Sequence, residues 1–94
     1  MIEVTLRANG YLKKHFPNGE SYRVKLENDA TMKDFYDRLD ALYGDVLPSS
    51  IWSRDKKSFR RPMVISVSGE AEFDLDYKLR DGDDITISRV IIGG

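Results

Sequence analysis

The side chains that could do chemistry in this sequence are few. Cysteine is absent, which removes disulfide scaffolds, zinc knuckles, thiol nucleophiles and persulfide carriers together. His15 is the single histidine and lies beside Lys13 and Lys14. An imidazole can act as a general base near neutral pH, but no second histidine completes a metal pair and no serine sits in a nucleophile elbow. His15 therefore reads as a surface residue. Asp74, Asp76, Asp81, Asp83 and Asp84 form an acidic cluster, yet the alternating ligands, central glycine and closing glutamate of a calcium loop are missing. Asp81 and Asp83 are expected to shape a turn through side-chain to backbone bonds, and an acidic docking surface is their second use. The run Arg54-Asp55-Lys56-Lys57-Ser58-Phe59-Arg60-Arg61 carries +4 in a chain of net charge −1, leaving −5 for the rest. It fits a solvated loop, a partner-docking loop or a nucleic-acid contact; five phosphate contacts would give a log–log salt slope of about −4.5 on duplex DNA. Only Phe59 in that run offers a stacking ring. The remaining candidate is the chain end, Val90-Ile91-Ile92-Gly93-Gly94.

These groups must be positioned by a small fold. The sequence has 94 residues, with 15 basic and 16 acidic side chains. That length supports one core, so a single domain over 1–94 with a flexible tail at 90–94 is expected, stable by about 5–14 kcal/mol. No apolar run approaches the roughly 20 residues of a membrane span. Met1-Ile2-Glu3-Val4 lacks the basic and apolar regions of a signal peptide, so a cytoplasmic location and no membrane contact are expected.

Ile2, Val4 and Leu6 alternate with polar residues, as in a half-buried strand. A loop from Asn9 to Glu20, turning at Phe16-Pro17-Asn18-Gly19, leads to a second alternation of Tyr22, Val24 and Leu26, which predicts an antiparallel hairpin. Met32, Phe35, Tyr36, Leu39, Leu42 and Tyr43 then fall at helical spacing. Thr31 is placed as N-cap with Asp34 three residues on, and Ala30 with Phe35 as a staple. Gly44 is expected to end the helix in a left-handed conformation. From Asp45 to Pro62 the pattern predicts a long crossover in which Leu47, Ile51 and Trp52 seek burial and Pro48-Ser49-Ser50 starts a helical turn. Met63–Val67 reads as a buried strand and Ser68-Gly69-Glu70 as a turn. Phe73, Leu75, Tyr77 and Leu79 at spacing two predict a strand or a strand followed by a turn. Asp81-Gly82-Asp83 is a turn signal, and Ile85 and Ile87 mark a last strand. One amphipathic helix can cover one sheet face, giving a two-layer α+β domain. A crossover from the second strand through the helix to the third favours a parallel pair between those strands, hence a mixed sheet.

This order, with Leu79-Arg80-Asp81-Gly82-Asp83-Asp84-Ile85 leading into a short strand and a terminal Gly93-Gly94, resembles the ubiquitin-like β-grasp sulfur carriers of the ThiS/MoaD family. The similarity covers most of the chain and is specific at its C-terminal end. The sequence differs from the family pattern in Ser88-Arg89-Val90, where proline is common, in the bulky Ile92 before the glycines, and in the length of Asp45–Pro62.

The resemblance implies a β-grasp fold with a mixed sheet of four or five strands and one main helix. It also implies that a ubiquitin-activating-type adenylyltransferase adenylates the Gly94 carboxylate. A sulfur donor then replaces AMP to leave a thiocarboxylate, which a larger synthase subunit accepts during cofactor biosynthesis. Molybdopterin is favoured, with thiamine and cysteine synthesis as variants. Gly94 would be the reacting residue and Gly93 its clearance, while Arg89, Val90, Ile91, Ile92, Asp81 and Asp83 would meet the partner. ATP and any metal belong to the activating enzyme, so this chain is expected to bind no cofactor or metal. It would act as a protein co-substrate or small non-catalytic subunit. Protein partners are expected rather than nucleic acid. Activation must come first, because a carboxylate has no good leaving group. The tail needs reach without bulk: five residues extend about 17 Å, and glycine lacks the Cβ that would obstruct a narrow channel. Two other uses share the fold, a ubiquitin-like modifier joined to lysines and an interaction module with an inert tail.

Overall fold

The computed structural model describes residues 1–8, 21–60 and 63–89. The expected first hairpin is present: β1 (Ile2–Ala8) pairs antiparallel with β2 (Ser21–Leu26) in the register Val4 opposite Val24. Val4, Leu6, Ala8, Val24 and Leu26 are buried, and the residues between them face the other way. The loop expected to carry His15 lies outside the described residues.

Helix α1 spans Met32–Tyr43 and begins with the expected capping box. Thr31 Oγ1 accepts from the Asp34 N–H at 3.3 Å, and Asp34 Oδ2 accepts from the Thr31 N–H at 2.9 Å. The next free donors of the first turn, Met32 N–H and Lys33 N–H, reach the Tyr77 and Leu75 carbonyls at 3.0 Å each. Every early N–H of the helix is thereby satisfied, which an α-helix cannot do by itself. Met32, Phe35, Tyr36 and Leu39 are buried, and Tyr43 packs at the core's edge. Leu42 departs from the expected stripe and is 52% exposed, because at 3.6 residues per turn it points about 70° from the stripe's centre.

Burial pushes the Tyr36 phenol up to about 12 and raises the Tyr43 phenol in the same direction. The folded chain therefore holds the Tyr36 proton more tightly than the unfolded chain does. The associated stability is intact below pH 10 and is lost as pH rises through about 12, a loss of roughly 2–3 kcal/mol. Urea titrations of Tyr36→Phe across this range are expected to show a shallower alkaline decline than the parent.

Gly44 does end the helix, but in a right-handed conformation at φ −55° rather than the expected left-handed one. Glycine is needed there for space: a Cβ would lie 2.5 Å from the Asp40 carbonyl oxygen and 2.7 Å from Asp40 Oδ1. The chain keeps turning, with the Val46 and Leu47 N–H groups both bonded to the Tyr43 carbonyl at 3.0 Å. Pro48 then accepts from Ile51 and Trp52, completing the helical turn expected at Pro48-Ser49-Ser50. The rest of the predicted crossover contains a small hairpin, β3 (Trp52–Ser53) against β4 (Ser58–Phe59). Leu47, Ile51 and Trp52 are buried as expected.

Strand β5 (Met63–Val67) turns through Ser68 and Gly69, at φ 48° and 95°, into β6 (Glu70–Ala71). Positive φ at both turn residues matches the twist that a two-residue hairpin needs. Strand β7 (Asp84–Arg89) closes the main sheet, whose order is β2-β1-β7-β5-β6. The sheet is mixed, as expected, but its parallel pair is β1 with β7, while β5 runs antiparallel to β7. The helical crossover leads into a strand separated from β2 by two others, so it does not create the parallel neighbours predicted between the second and third strands.

The segment after β6 is not a strand. Its carbonyls at Leu75 and Tyr77 serve the helix N-terminus, and Lys78 makes only an isolated bridge with Thr31. Tyr77 and Leu79 turn inward, whereas Phe73 and Leu75 are 75% and 46% exposed. Helix α1 covers one face of the sheet, and the core lies between the two layers. No helix among the described residues is long and apolar enough to cross a membrane.

Candidate functional site

Strand β7 positions the candidate tail. It is the middle strand of the five, paired with β1 from Thr5–Asp84 to Ala8–Ile87 and with β5 from Val67–Ile85 to Met63–Arg89. Ile85 and Ile87 are fully buried. The backbone is thus held on both sides up to Ile87 and by β5 alone to Arg89, and Val90, Ile91, Ile92, Gly93 and Gly94 lie outside the described residues.

The Asp81-Gly82-Asp83 turn fixes the other end of β7. Asp81 Oδ1 accepts from the Glu3 N–H at 2.8 Å, and the Gly82 N–H donates to the Glu3 carbonyl at 2.8 Å. Asp83 Oδ2 accepts from the Arg80 N–H at 2.8 Å, while its Oδ1 accepts from Ser68 Oγ at 3.1 Å. Gly82 at φ 88° occupies the left-handed region that favours glycine. The turn-shaping role expected of the two aspartates is what these bonds show. They also stand far from the tail: five steps of β7 separate Asp84 from Arg89, about 17 Å along the strand. Of the predicted partner-contact residues, Asp81 and Asp83 therefore lie at one end of β7 and Arg89 at the other.

Among the described residues, three cations of the basic run have partners and the Lys56 ammonium has none. Arg54 bonds Asp45 and lies 3.9 Å from Asp40, Lys57 lies 3.9 Å from Asp37, and Arg60 Nε donates to the Ser49 carbonyl at 2.6 Å. Phe59 packs edge-on to Trp52 with ring centroids 4.8 Å apart and to Tyr36 at 6.1 Å. A cleft of about 340 Å³ between the helix end and the hairpin is lined by Trp52, Arg54 and Arg60 among others, of which Trp52 Nε1, Arg54 Nη1 and Arg60 Nε donate to Asp40, Asp45 and Ser49. Among the described residues, no group of three or more histidine, cysteine or acidic side chains could hold a metal ion.

The open sheet face is polar. Glu3 pairs with Arg23 at 3.9 Å and Arg7 with Asp84 at 3.4 Å, with Thr5, Thr86, Ser66 and Ser88 between the charges. Among the described residues this face offers no broad apolar surface for gripping a larger enzyme. The apolar exposure falls instead on Phe73 and Leu75. Their spacing-two pattern suggested burial; the contrary signal was an acid at every alternate position, Glu70, Glu72, Asp74 and Asp76.

No protein-family model matches the sequence, and no curated protein matches it. Solved structures match it in fold. Small archaeal modifier protein 1 from Haloferax volcanii is 20% identical, with a TM-score of 0.78 over 97% of this chain and 100% of that one. Urm1 from Trypanosoma brucei is 18% identical, with a TM-score of 0.74 over 98% of this chain and 95% of that one. A chain of the complex of subunits 1 and 2 of molybdopterin-converting factor from Helicobacter pylori is 19% identical, with a TM-score of 0.63 over 99% of this chain and 100% of that one. The fold is therefore the ubiquitin-like β-grasp, and its structural neighbours are ThiS/MoaD-like proteins, one of them solved with a partner subunit.

Proposed function

We propose that this chain is a sulfur carrier whose Gly94 carboxylate is adenylated and then thiocarboxylated, and that it donates the sulfur in cofactor biosynthesis. The supporting observation is the direct run from the central strand β7, pinned on both sides, into Val90-Ile91-Ile92-Gly93-Gly94. The carboxylate attacks the α-phosphorus of ATP and releases pyrophosphate; a sulfur nucleophile then attacks the acyl carbon and expels AMP. The adenylyltransferase supplies nucleotide and metal, and this chain supplies a substrate carboxylate on a firm mount. The sulfur donor and a larger sulfur-accepting subunit complete the set of partners. Molybdopterin formation is the favoured destination, supported by likeness to the Helicobacter pylori converting-factor complex.

A second reading is a modifier joined through Gly94 to lysines of other proteins, supported by likeness to small archaeal modifier protein 1. Intact-mass measurement separates the two after incubation with the activating enzyme, ATP and a sulfur donor. A gain matching one oxygen-to-sulfur exchange is expected for the carrier. Adducts containing a second protein instead would replace that reading with the modifier, and an unchanged mass would sink both.

A further inference from the structure

Five large apolar side chains are exposed among the described residues, and Phe73, at 75%, is the most exposed and the one aromatic among them. Leaving such a side chain in water forgoes about 1.5–3 kcal/mol that burial would supply. Yet the backbone beneath Phe73 is pinned. The Glu72 N–H bonds the Ile65 carbonyl at 2.9 Å, the Asp74 N–H bonds Glu72 Oε2 at 3.1 Å, and the Asp76 N–H bonds Asp74 Oδ1 at 2.9 Å. The Leu75 carbonyl accepts from Lys33, and Tyr77 and Leu79 anchor the following residues in the core. Phe73 and Leu75 are held outward by a fixed support.

Their charge setting points to one kind of partner. Glu70-Ala71-Glu72-Phe73-Asp74-Leu75-Asp76 carries four carboxylates and no cation. Among the described residues, the Glu70 and Asp76 side chains make no hydrogen bond or ion pair, whereas Glu3, Asp37, Asp40, Asp45 and Asp84 all face arginine or lysine. An apolar pair framed by unneutralised acids repels nucleic acid and anionic lipid, and complements an apolar pocket rimmed by lysine or arginine. A second copy of this chain is a poorer match, because Arg54, Lys57 and Arg60 of its basic hairpin already have partners and Lys56 alone, among the described residues of that hairpin, is left to face four carboxylates.

Position supplies the last link. Glu72 lies beside Ile65, and Ile65 is opposite Ile87, two residues before the described end of β7. Phe73 therefore sits about two strand spacings, roughly 10 Å, to the side of the strand that releases the tail. One enzyme surface can hold both.

We propose that Phe73 and Leu75, framed by Glu70, Glu72, Asp74 and Asp76, dock on the activating enzyme that receives the tail, in an apolar pocket with a cationic rim. This rests on the carrier reading of Gly94. The anchor acts equally before and at the transition state, so its loss raises KM and leaves kcat alone. Steady-state ATP–pyrophosphate exchange with the activating enzyme tests it on the full chain, using Phe73→Ala, the double variant Glu70→Lys/Asp76→Lys, and a chain lacking Gly93-Gly94. Both substituted chains are expected to raise KM for this protein tenfold or more at unchanged kcat, and the parent's KM is expected to rise with salt. Circular dichroism melts matching the parent exclude misfolding. Unchanged KM in both, with exchange still lost on removing Gly93-Gly94, would overturn the docking element and leave the carrier standing. Exchange that ignores Gly93-Gly94 would instead remove the carrier reading. If Phe73→Ala converts a sedimenting dimer to monomer without changing KM, the occupant is a second copy and the proposal fails.

Discussion

Deleting Gly93 and Gly94 is expected to bring carrier-dependent ATP–pyrophosphate exchange down to the background measured without the carrier, while the thermal midpoint stays within error of the parent. Both halves of the result follow from where β7 stops. Its pairing with β1 and β5 accounts for every residue from Asp84 to Arg89, so the deletion removes no ladder hydrogen bond described in the fold. The terminal carboxylate then sits on Ile92, about 7 Å short of its former reach and beside a branched side chain in place of glycine. Gly93→Val retains the full length of the tail and tests clearance separately. A branched side chain next to the reacting residue is expected to lower exchange by about 10²-fold, the order of loss produced by an ångström of misplacement at a reacting centre. Normal exchange by Gly93→Val would show that the channel does not require a narrow approach.

Trp52→Ala is expected to destabilise the domain by about 3–5 kcal/mol, a large part of its total stability. The indole is 1% exposed and lies edge-on to both Phe59 and Tyr36, at 4.8 and 6.0 Å between centroids. Its Nε1–H donates to Asp40 Oδ1 at 2.9 Å, tying the small hairpin to the end of α1. Asp40→Ala leaves that buried donor without its acceptor and should cost about 1–3 kcal/mol, whereas Asp40→Asn keeps an acceptor oxygen and should cost less. Urea denaturation followed by circular dichroism gives the three values on one scale. Equal losses for the alanine and asparagine variants would show that the charge, through Arg54, matters more than the indole bond.

Much of the fold was visible wherever local pattern and tertiary position agreed. Val4 and Leu6 alternate because one sheet face is covered. Thr31 and Asp34 announce a helix start because the capping box satisfies its own neighbours. The sequence was less informative where one residue answers to a distant one. Gly44 suggested a left-handed cap, but the deciding fact is the approach of Asp40, which in turn is set by Trp52. Phe73 and Leu75 copied the spacing of a strand, yet their neighbours' carbonyls are drawn to the helix N-terminus. The β3–β4 hairpin has two residues per strand, too few to show alternation, so it passed as loop. At the candidate site the turn at Gly82 was legible, while the reading of Gly93-Gly94 concerns residues outside the described ones. The separation of Asp81 and Asp83 from the tail by the length of β7 depended on strand order.

The central place of β7 also sets how the molecule bears a load. On the carrier reading, an enzyme that drew Gly94 into its channel would pull along β7, and the force would pass first into the ladder with β5 at Arg89 and then into the ladder with β1 from Ile87. Such a pull runs parallel to the strands and across their hydrogen bonds, so the bonds share the tension instead of parting one by one as they would under a pull perpendicular to the strand. A carrier loaded in this way would keep the shape of its body while its end is under tension.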